Sequence, residues 1–216
     1  MHILAINGSP RKNRNTATLL NKALEGAASQ GATTELIHLY DLNYKGCISC
    51  FACKLIGGKS YGKCAYQDDL SPVLEKINNA DAVILGSPIY FGNVTGEMRS
   101  LMERMLFQNV IYDENYSSLV SKKKPIGLIY TMNIKEDMLK EWGYDKIFIA
   151  NESIMKRTFG ASESLLSTNT YQFTDYSKYI TSAFNEPEKA KHRQDVFPKD
   201  CEKAFMMGSR FASNPL

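Results

Sequence analysis

The sequence predicts an α/β fold in which a parallel sheet is covered by helices on both faces. Three observations carry this prediction. Short apolar runs recur along the chain, amphipathic helical stretches alternate with them, and Gly, Pro, Asn and Ser clusters mark the joins. Five such runs joined through helices call for right-handed crossovers, and so for a sheet buried on both sides.

The elements follow in order. Residues 2–6 are nearly all apolar, as in a strand covered on both faces. Asn7-Gly8-Ser9-Pro10 breaks that strand. A helix is predicted over 16–29, with Ala17, Leu20, Ala23, Leu24 and Ala27 on one face and Gly31 as its stop. A second strand spans 33–39, which completes a βαβ-sized unit. Residues 40–68 are irregular and hold four of the five cysteines. A short helix over 71–78 precedes a third strand, 81–87. The next helix covers 96–106, and 108–122 is a polar, Tyr-rich excursion. A fourth strand spans 125–131. A helical region over 135–158 is interrupted near Gly143-Tyr144, and the fifth strand spans 161–167. The stretch 170–187 is aromatic and polar without a period, and one last helix is predicted over 188–212.

The 216 residues suffice for one well-buried domain and are too few for two ordinary ones. A single domain over 1–216 is therefore expected, with a Cys-rich insertion at about 40–68. Hydrophobic residues make up 44% and charged residues 23%, the balance of a globular chain in water. No run approaches the roughly 18 apolar residues of a membrane span. Ile3-Leu4-Ala5-Ile6 is too short for a signal-peptide core and no basic segment precedes it. The expected location is cytoplasmic, where the sequons at Asn93, Asn115 and Asn151 carry no meaning. The net charge of +3 is mild. Lys122-Lys123-Lys124 is read as a solvated loop, and neither nucleic acid nor membrane is expected as a partner.

The turn after the first strand is rich in donors: Ser9, Arg11, Lys12, Asn13, Arg14, Asn15 and Thr16. It enters a helix N-terminus, where free N–H groups and the helix dipole favour an anion. The P-loop spacing Gly-x4-Gly-Lys-Ser/Thr is absent, and so is the dinucleotide pattern Gly-x-Gly-x-x-Gly. Two readings stay open from this loop alone: a monophosphate site, or an ordinary turn capped by Asn15 or Thr16.

The third strand leads into Ser87-Pro88-Ile89-Tyr90-Phe91-Gly92-Asn93-Val94-Thr95-Gly96, followed by Met98-Arg99-Ser100-Leu101-Met102-Glu103-Arg104. Together with the first loop, this segment resembles the NADPH-dependent FMN reductase family of flavodoxin-like proteins. The resemblance implies a three-layer sandwich with a five-stranded parallel sheet of order 2-1-3-4-5. It also implies FMN as cofactor, NAD(P)H as electron donor and a small-molecule electron acceptor. Ser9, Arg11, Lys12, Asn13, Asn15 and Thr16 would hold the phosphate. Pro88, Ile89, Tyr90, Phe91, Gly92 and Asn93 would hold the ring, and Thr131 marks a third approach at the end of the fourth strand. The chemistry agrees, because a flat ring needs apolar contact on its face and backbone donors at its edge. The family commonly has Gly where this chain has Asn133. Members commonly form homodimers near the flavin, and the aromatics between Tyr171 and Phe184 suit such a contact.

Cys47, Cys50 and Cys53 are spaced Cys-x2-Cys-x2-Cys, and Cys64 follows after ten further residues. The first three match the spacing that wraps a corner of a cubane cluster. The segment is similar to that of the iron–sulfur flavoproteins of the same family, apart from its longer fourth spacing. A 4Fe–4S cluster, a zinc site and free thiols near the flavin are three readings, of which free thiols are favoured. Cys201 is read as a small core residue. His2, His38 and His192 form no metal pattern, and no Gly-x-Ser-x-Gly nucleophile motif is present.

The expected function is an FMN-dependent oxidoreductase passing electrons from NAD(P)H to a quinone, a free flavin, a nitro compound or a metal ion. No catalytic side chain is named, because the cofactor supplies the chemistry. The alternative is a non-enzymatic electron carrier serving ferredoxin-like partners. Dedicated flavodoxin carriers tend to be acidic, and this chain is not.

Overall fold

A computed structural model describes residues 1–213. Residues 214–216, the end of the expected 1–216 domain, lie outside the described residues. The strands are β1 (His2–Asn7), β2 (Thr33–His38), β3 (Ala82–Tyr90), β4 (Asn93–Val94), β5 (Lys124–Thr131) and β6 (Gly160–Ser167). They form one sheet of order β2-β1-β3-β5-β6, every neighbouring pair parallel. This is the expected 2-1-3-4-5 order. The count is corrected by β4, two residues that pair antiparallel with β3.

The helices are α1 (Asn15–Ser29), α2 (Ser71–Asn79), α3 (Gly96–Asn109), α4 (Met138–Glu141), α5 (Tyr144–Phe159), α6 (Glu186–Asp195) and α7 (Phe197–Ser213). Alternation along each strand divides the core in two. Ile3, Ala5, Ala82, Ile84 and Ile129 face α1 and α7. Leu4, Ile6, Val83, Leu85, Ile126, Leu128 and Tyr130 face α2, α3 and α5. Each fully buried Leu or Ile contributes about 1.5–3 kcal/mol relative to exposure. Two such layers hold the strands' carboxyl ends in one rigid row.

α1 and α7 cross at close range through two glycines. A Cβ on Gly208 would run into the carbonyl oxygen of Ala23, and one on Gly26 into that of Phe205. Only hydrogen fits at either place.

Three boundaries differ from the sequence reading. β3 does not stop at Ser87; it continues to Tyr90 because the chain folds back on itself as β4. The region expected as helix 135–158 starts at Met138 and breaks at Trp142-Gly143, with Gly143 at φ +71°. The last helix is two helices meeting at Val196. Pro198 explains the break. Inside a continuous helix it would lose the bond to residue 194 and clash with that carbonyl, whereas the first turn of α7 tolerates it.

Candidate functional site

In this sheet order the chain leaves β1 toward β2 on one side and later returns to β3 on the other. The crevice beyond the carboxyl ends of β1 and β3 is the place where such folds bind ligands. The first loop lies there. The Gly8 amide donates to the Gly86 carbonyl at 2.8 Å and fixes the turn against β3. Ser9 is buried; its amide donates to Asn7 Oδ1 at 2.9 Å, and its Oγ accepts from the Arg11 amide at 3.2 Å.

α1 starts at Asn15 behind an extended Arg14, with no side-chain cap and no acid in its first turn. This corrects the capped-turn reading. Asn15 and Thr16 lie inside the helix, and their side chains bond elsewhere. Asn15 Nδ2 donates to the Tyr171 carbonyl at 3.2 Å, and Thr16 Oγ1 meets Thr131 Oγ1 at 2.7 Å. The uncapped N–H groups keep the positive end of α1 available to an anion.

The charged side chains of the loop are exposed and partly engaged. Arg11 donates to the Gln172 carbonyl and Arg14 to Thr174 Oγ1, both at 2.8 Å, while Lys12 pairs with Asp41. Arg193 donates to Asn15 Oδ1 at 2.9 Å. Residues 171–174 therefore lie across the first loop. Asn13 is exposed beside them.

The second loop is a tight hairpin. Tyr90 pairs with Asn93, so Phe91-Gly92 forms a two-residue turn with both φ positive, +51° and +86°. That is the geometry of a type I′ turn, which normally selects Asn-Gly. Phe91 holds the strained first position with its side chain fully exposed, at a cost of about 1–2 kcal/mol. Pro88 is buried, Ile89 half-buried and Tyr90 exposed. Thr95 ties this loop to the first. Its hydroxyl donates to the Gly8 carbonyl at 2.7 Å, its amide donates to Ser87 Oγ at 3.1 Å, and it caps α3 by accepting from the Met98 amide at 3.3 Å.

Beyond β3 and β5 opens a cavity of about 910 Å³, lined by Ile89, Met132, Trp142, Tyr144, Phe184 and Lys189 among others. Its volume lies at the upper end of the range for small-molecule sites. Asn133 also lines it and leaves its buried Oδ1 without a partner. The site is composite: the loop after β1, the hairpin after β3 and the segment after β5 face the same end of the sheet. Thr95, Asn169 and Lys189 were missed from the sequence. Thr95 carried a readable signal, a Thr directly before a helix. Asn169 and Lys189 carried none: one follows the fifth predicted strand and the other opens the last predicted helix, with no motif at either place.

The cysteine segment lies at the other end of α3. Cys47, Cys50, Cys53 and Cys64 all line one small pocket of about 20 Å³, together with Arg104 and Phe107. Ser49 and Phe51, the residues between the cysteines that reverse the chain, have φ of +54° and +56°. Arg104, 1% exposed, organises the loop. It donates to Asp68 at 2.6 Å, to the Tyr66 carbonyl at 2.7 Å, to the Lys45 carbonyl at 3.2 Å and to Cys64 Sγ at 3.3 Å. Burial pushes the Cys53 thiol up. Among the described residues, no three His, Cys, Asp or Glu side chains take up a metal-binding arrangement. The segment thus brings four thiols to the lining of one small pocket.

Fold and site together define a flavodoxin-like α/β protein with a ligand crevice beyond its strands. A family model of NADPH-dependent FMN reductase matches residues 1–136, and the chain belongs to that family. It is 42% identical over 104 residues to an iron–sulfur flavoprotein of Methanocaldococcus jannaschii, a match covering 48% of this chain and 51% of that protein. An iron–sulfur flavoprotein of Archaeoglobus fulgidus is 46% identical over 104 residues, covering 48% of each chain. The chain thus spans about half the length of these relatives. Among solved structures, an NAD(P)H:quinone oxidoreductase from Methanothermobacter marburgensis superposes with a TM-score of 0.70 at 14% identity, covering 99% and 98% of the two chains. An FMN-dependent NADH-azoreductase from Bacillus anthracis, solved with FMN, gives 0.66 at 14% identity, covering 99% and 100%. At this identity the structural likeness shows the fold.

Proposed function

We propose that this protein is an FMN-dependent oxidoreductase that accepts a hydride from NAD(P)H and delivers electrons to a small acceptor such as a quinone or free flavin. One observation carries the reading: the uncapped N-terminus of α1 and the apolar cavity beyond β3 and β5 share the crevice end of the sheet. A phosphate and a flat ring on one ligand need that pairing. The family match and the iron–sulfur flavoprotein relatives support it.

The first-turn N–H groups of α1 and the backbone of residues 9–14 hold the phosphate, with Arg11 and Lys12 offsetting its charge. Thr131 fixes Thr16 at the base of this cradle. Pro88, Ile89 and the hairpin through Asn93 hold the ring, with Gly92 allowing close backbone approach. FMN, when bound, supplies the hydride and electron chemistry. The chain's own residues position it and exclude water; none is required as acid or base. The chain acts as one domain, as a homodimer in the cytoplasm, and without nucleic acid. No helix among the described residues is long and apolar enough to cross a membrane.

The convergence of four cysteines on one pocket favours a second element, a 4Fe–4S cluster on Cys47, Cys50, Cys53 and Cys64. The relatives bear the name iron–sulfur flavoprotein. One experiment tests both elements. The protein is purified without oxygen, its visible spectrum recorded, and NADPH or NADH added. Resolved flavin bands that bleach are expected. A flavin that stays oxidised sinks the enzyme reading and favours a carrier. Absence of iron and acid-labile sulfide ends the cluster.

The strained hairpin supplies a separate prediction. Phe91→Gly is expected to raise stability by about 1 kcal/mol, because glycine adopts the left-handed region freely. It is also expected to weaken FMN binding through loss of ring contact. Thermal melts and fluorescence titration read the two effects. An unchanged melting temperature would mean the hairpin is unstrained.

A further inference from the structure

The cavity wall contains a buried charge that the proposed phosphate site does not use. Lys189 is 3% exposed and lies in the first turn of α6. Both facts disfavour an ammonium: burial strips its water, and the positive end of a helix repels it. Its hydrogen bonds go to two neutral oxygens, Asn169 Oδ1 at 2.7 Å and the Asn133 carbonyl at 3.1 Å. The neighbouring carboxylate, Glu188, is taken by Lys135 at 2.7 Å. An ammonium has three donors, and these two bonds leave one. The Phe184 ring lies 5.4 Å from Nζ. Asn169 is itself held in the left-handed region at φ +47°. Lys135, Glu186 and Glu188, the other charged groups lining the cavity, are exposed on its rim.

A buried cation fixed by neutral partners, with one donor left over, suits a cavity where negative charge appears during turnover. Hydride transfer supplies that charge. The nicotinamide carbon gives up two electrons and one proton together and becomes the oxidised, positively charged form. The accepting ring, neutral before, gains one negative charge and needs no further proton. We propose that Lys189 is the charge-stabilising residue of this cavity, its ammonium meeting the negative charge that the bound ring gains on reduction. This rests on the flavin reading above and adds to it a residue, a role and a sign. Burial lowers the amine to about 8, so it still carries its proton at neutral pH.

The test uses the full chain loaded with FMN, and compares the parent with Lys189→Met, Lys189→Gln and Lys189→Arg. Binding of oxidised FMN is measured by fluorescence quenching and the midpoint potential by spectroelectrochemistry. Methionine and glutamine should leave oxidised FMN affinity within about threefold. They should weaken the hold on reduced FMN at least tenfold, a lowering of the potential by about 30 mV for a two-electron couple. Arginine, which keeps the charge, should restore most of the difference. A purely structural tether would weaken both oxidation states equally and leave the potential in place. That result, in a folded variant that binds FMN, overturns the proposal while leaving the flavin reading intact. Failure of the parent to bind FMN sinks both. Should methionine not fold at this buried position, glutamine, which keeps an amide donor for the Asn133 carbonyl, gives the charge-neutral comparison.

Discussion

Arg104→Ala is expected to cost about 3–5 kcal/mol, the penalty for breaking a buried ion pair from one side. The guanidinium is 1% exposed, and its partner Asp68 would remain 11% exposed without a counter-charge. Two backbone carbonyls, of Lys45 and Tyr66, would lose their donor as well. At roughly 2–4 °C per kcal/mol for a chain of this size, the melting temperature should fall by about 10 °C. Arg104→Lys should recover only part of this, because a point charge cannot replace a planar fork with five donors. Amide hydrogen exchange should locate the loosening in residues 45–68. A melting temperature within 2 °C of the parent would show that the loop stands without its arginine.

Gly208→Ala is a test of sign. In an exposed helix interior, alanine is favoured over glycine by about 1 kcal/mol. Here the added methyl would meet the Ala23 backbone carbonyl, which has no rotamer into which to retreat. α7 must then move off α1, and Met207 and Phe211 lose contact with Ile84 and Ile129. Overpacking of this kind costs about 1–3 kcal/mol and sometimes more. A net loss of about 2 kcal/mol is expected by chemical denaturation. FMN affinity should fall too, since the displaced partner is the helix whose N-terminus is proposed above as the phosphate cradle. A gain in stability would mean that the two helices yield at their crossing.

Much of the fold was legible because it rests on local patterns. The apolar runs at 2–6 and 125–131 announced buried strands, and five of them alternating with helices imposed a parallel sheet. The misjudged boundaries have local causes that pattern alone conceals. The strand extension through Tyr90 depends on a Phe-Gly turn, which sequence preference would not choose. The last helix reads as continuous over 188–212, although Pro198 within it marks the break between α6 and α7. The candidate site divides in the same way. Residues 9–16 and 88–93 are sequence-local motifs and could be quoted as such. Thr95 bonded to Gly8, Arg193 bonded to Asn15, and Lys189 bonded to Asn133 and Asn169 are separated by 20 to 178 residues. Only folding brings these together.

The family match covers the cavity's lining only in part. The family match ends at residue 136, so Ile89, Met132 and Asn133 fall within it, whereas Trp142, Tyr144, Phe184 and Lys189 come after it. The matched part supplies ring contacts proposed above, and the part beyond it supplies the buried cation. A transplant of residues 137–189 into a relative would then carry Lys189 with it, and on the proposal above the bound flavin's midpoint potential should shift accordingly.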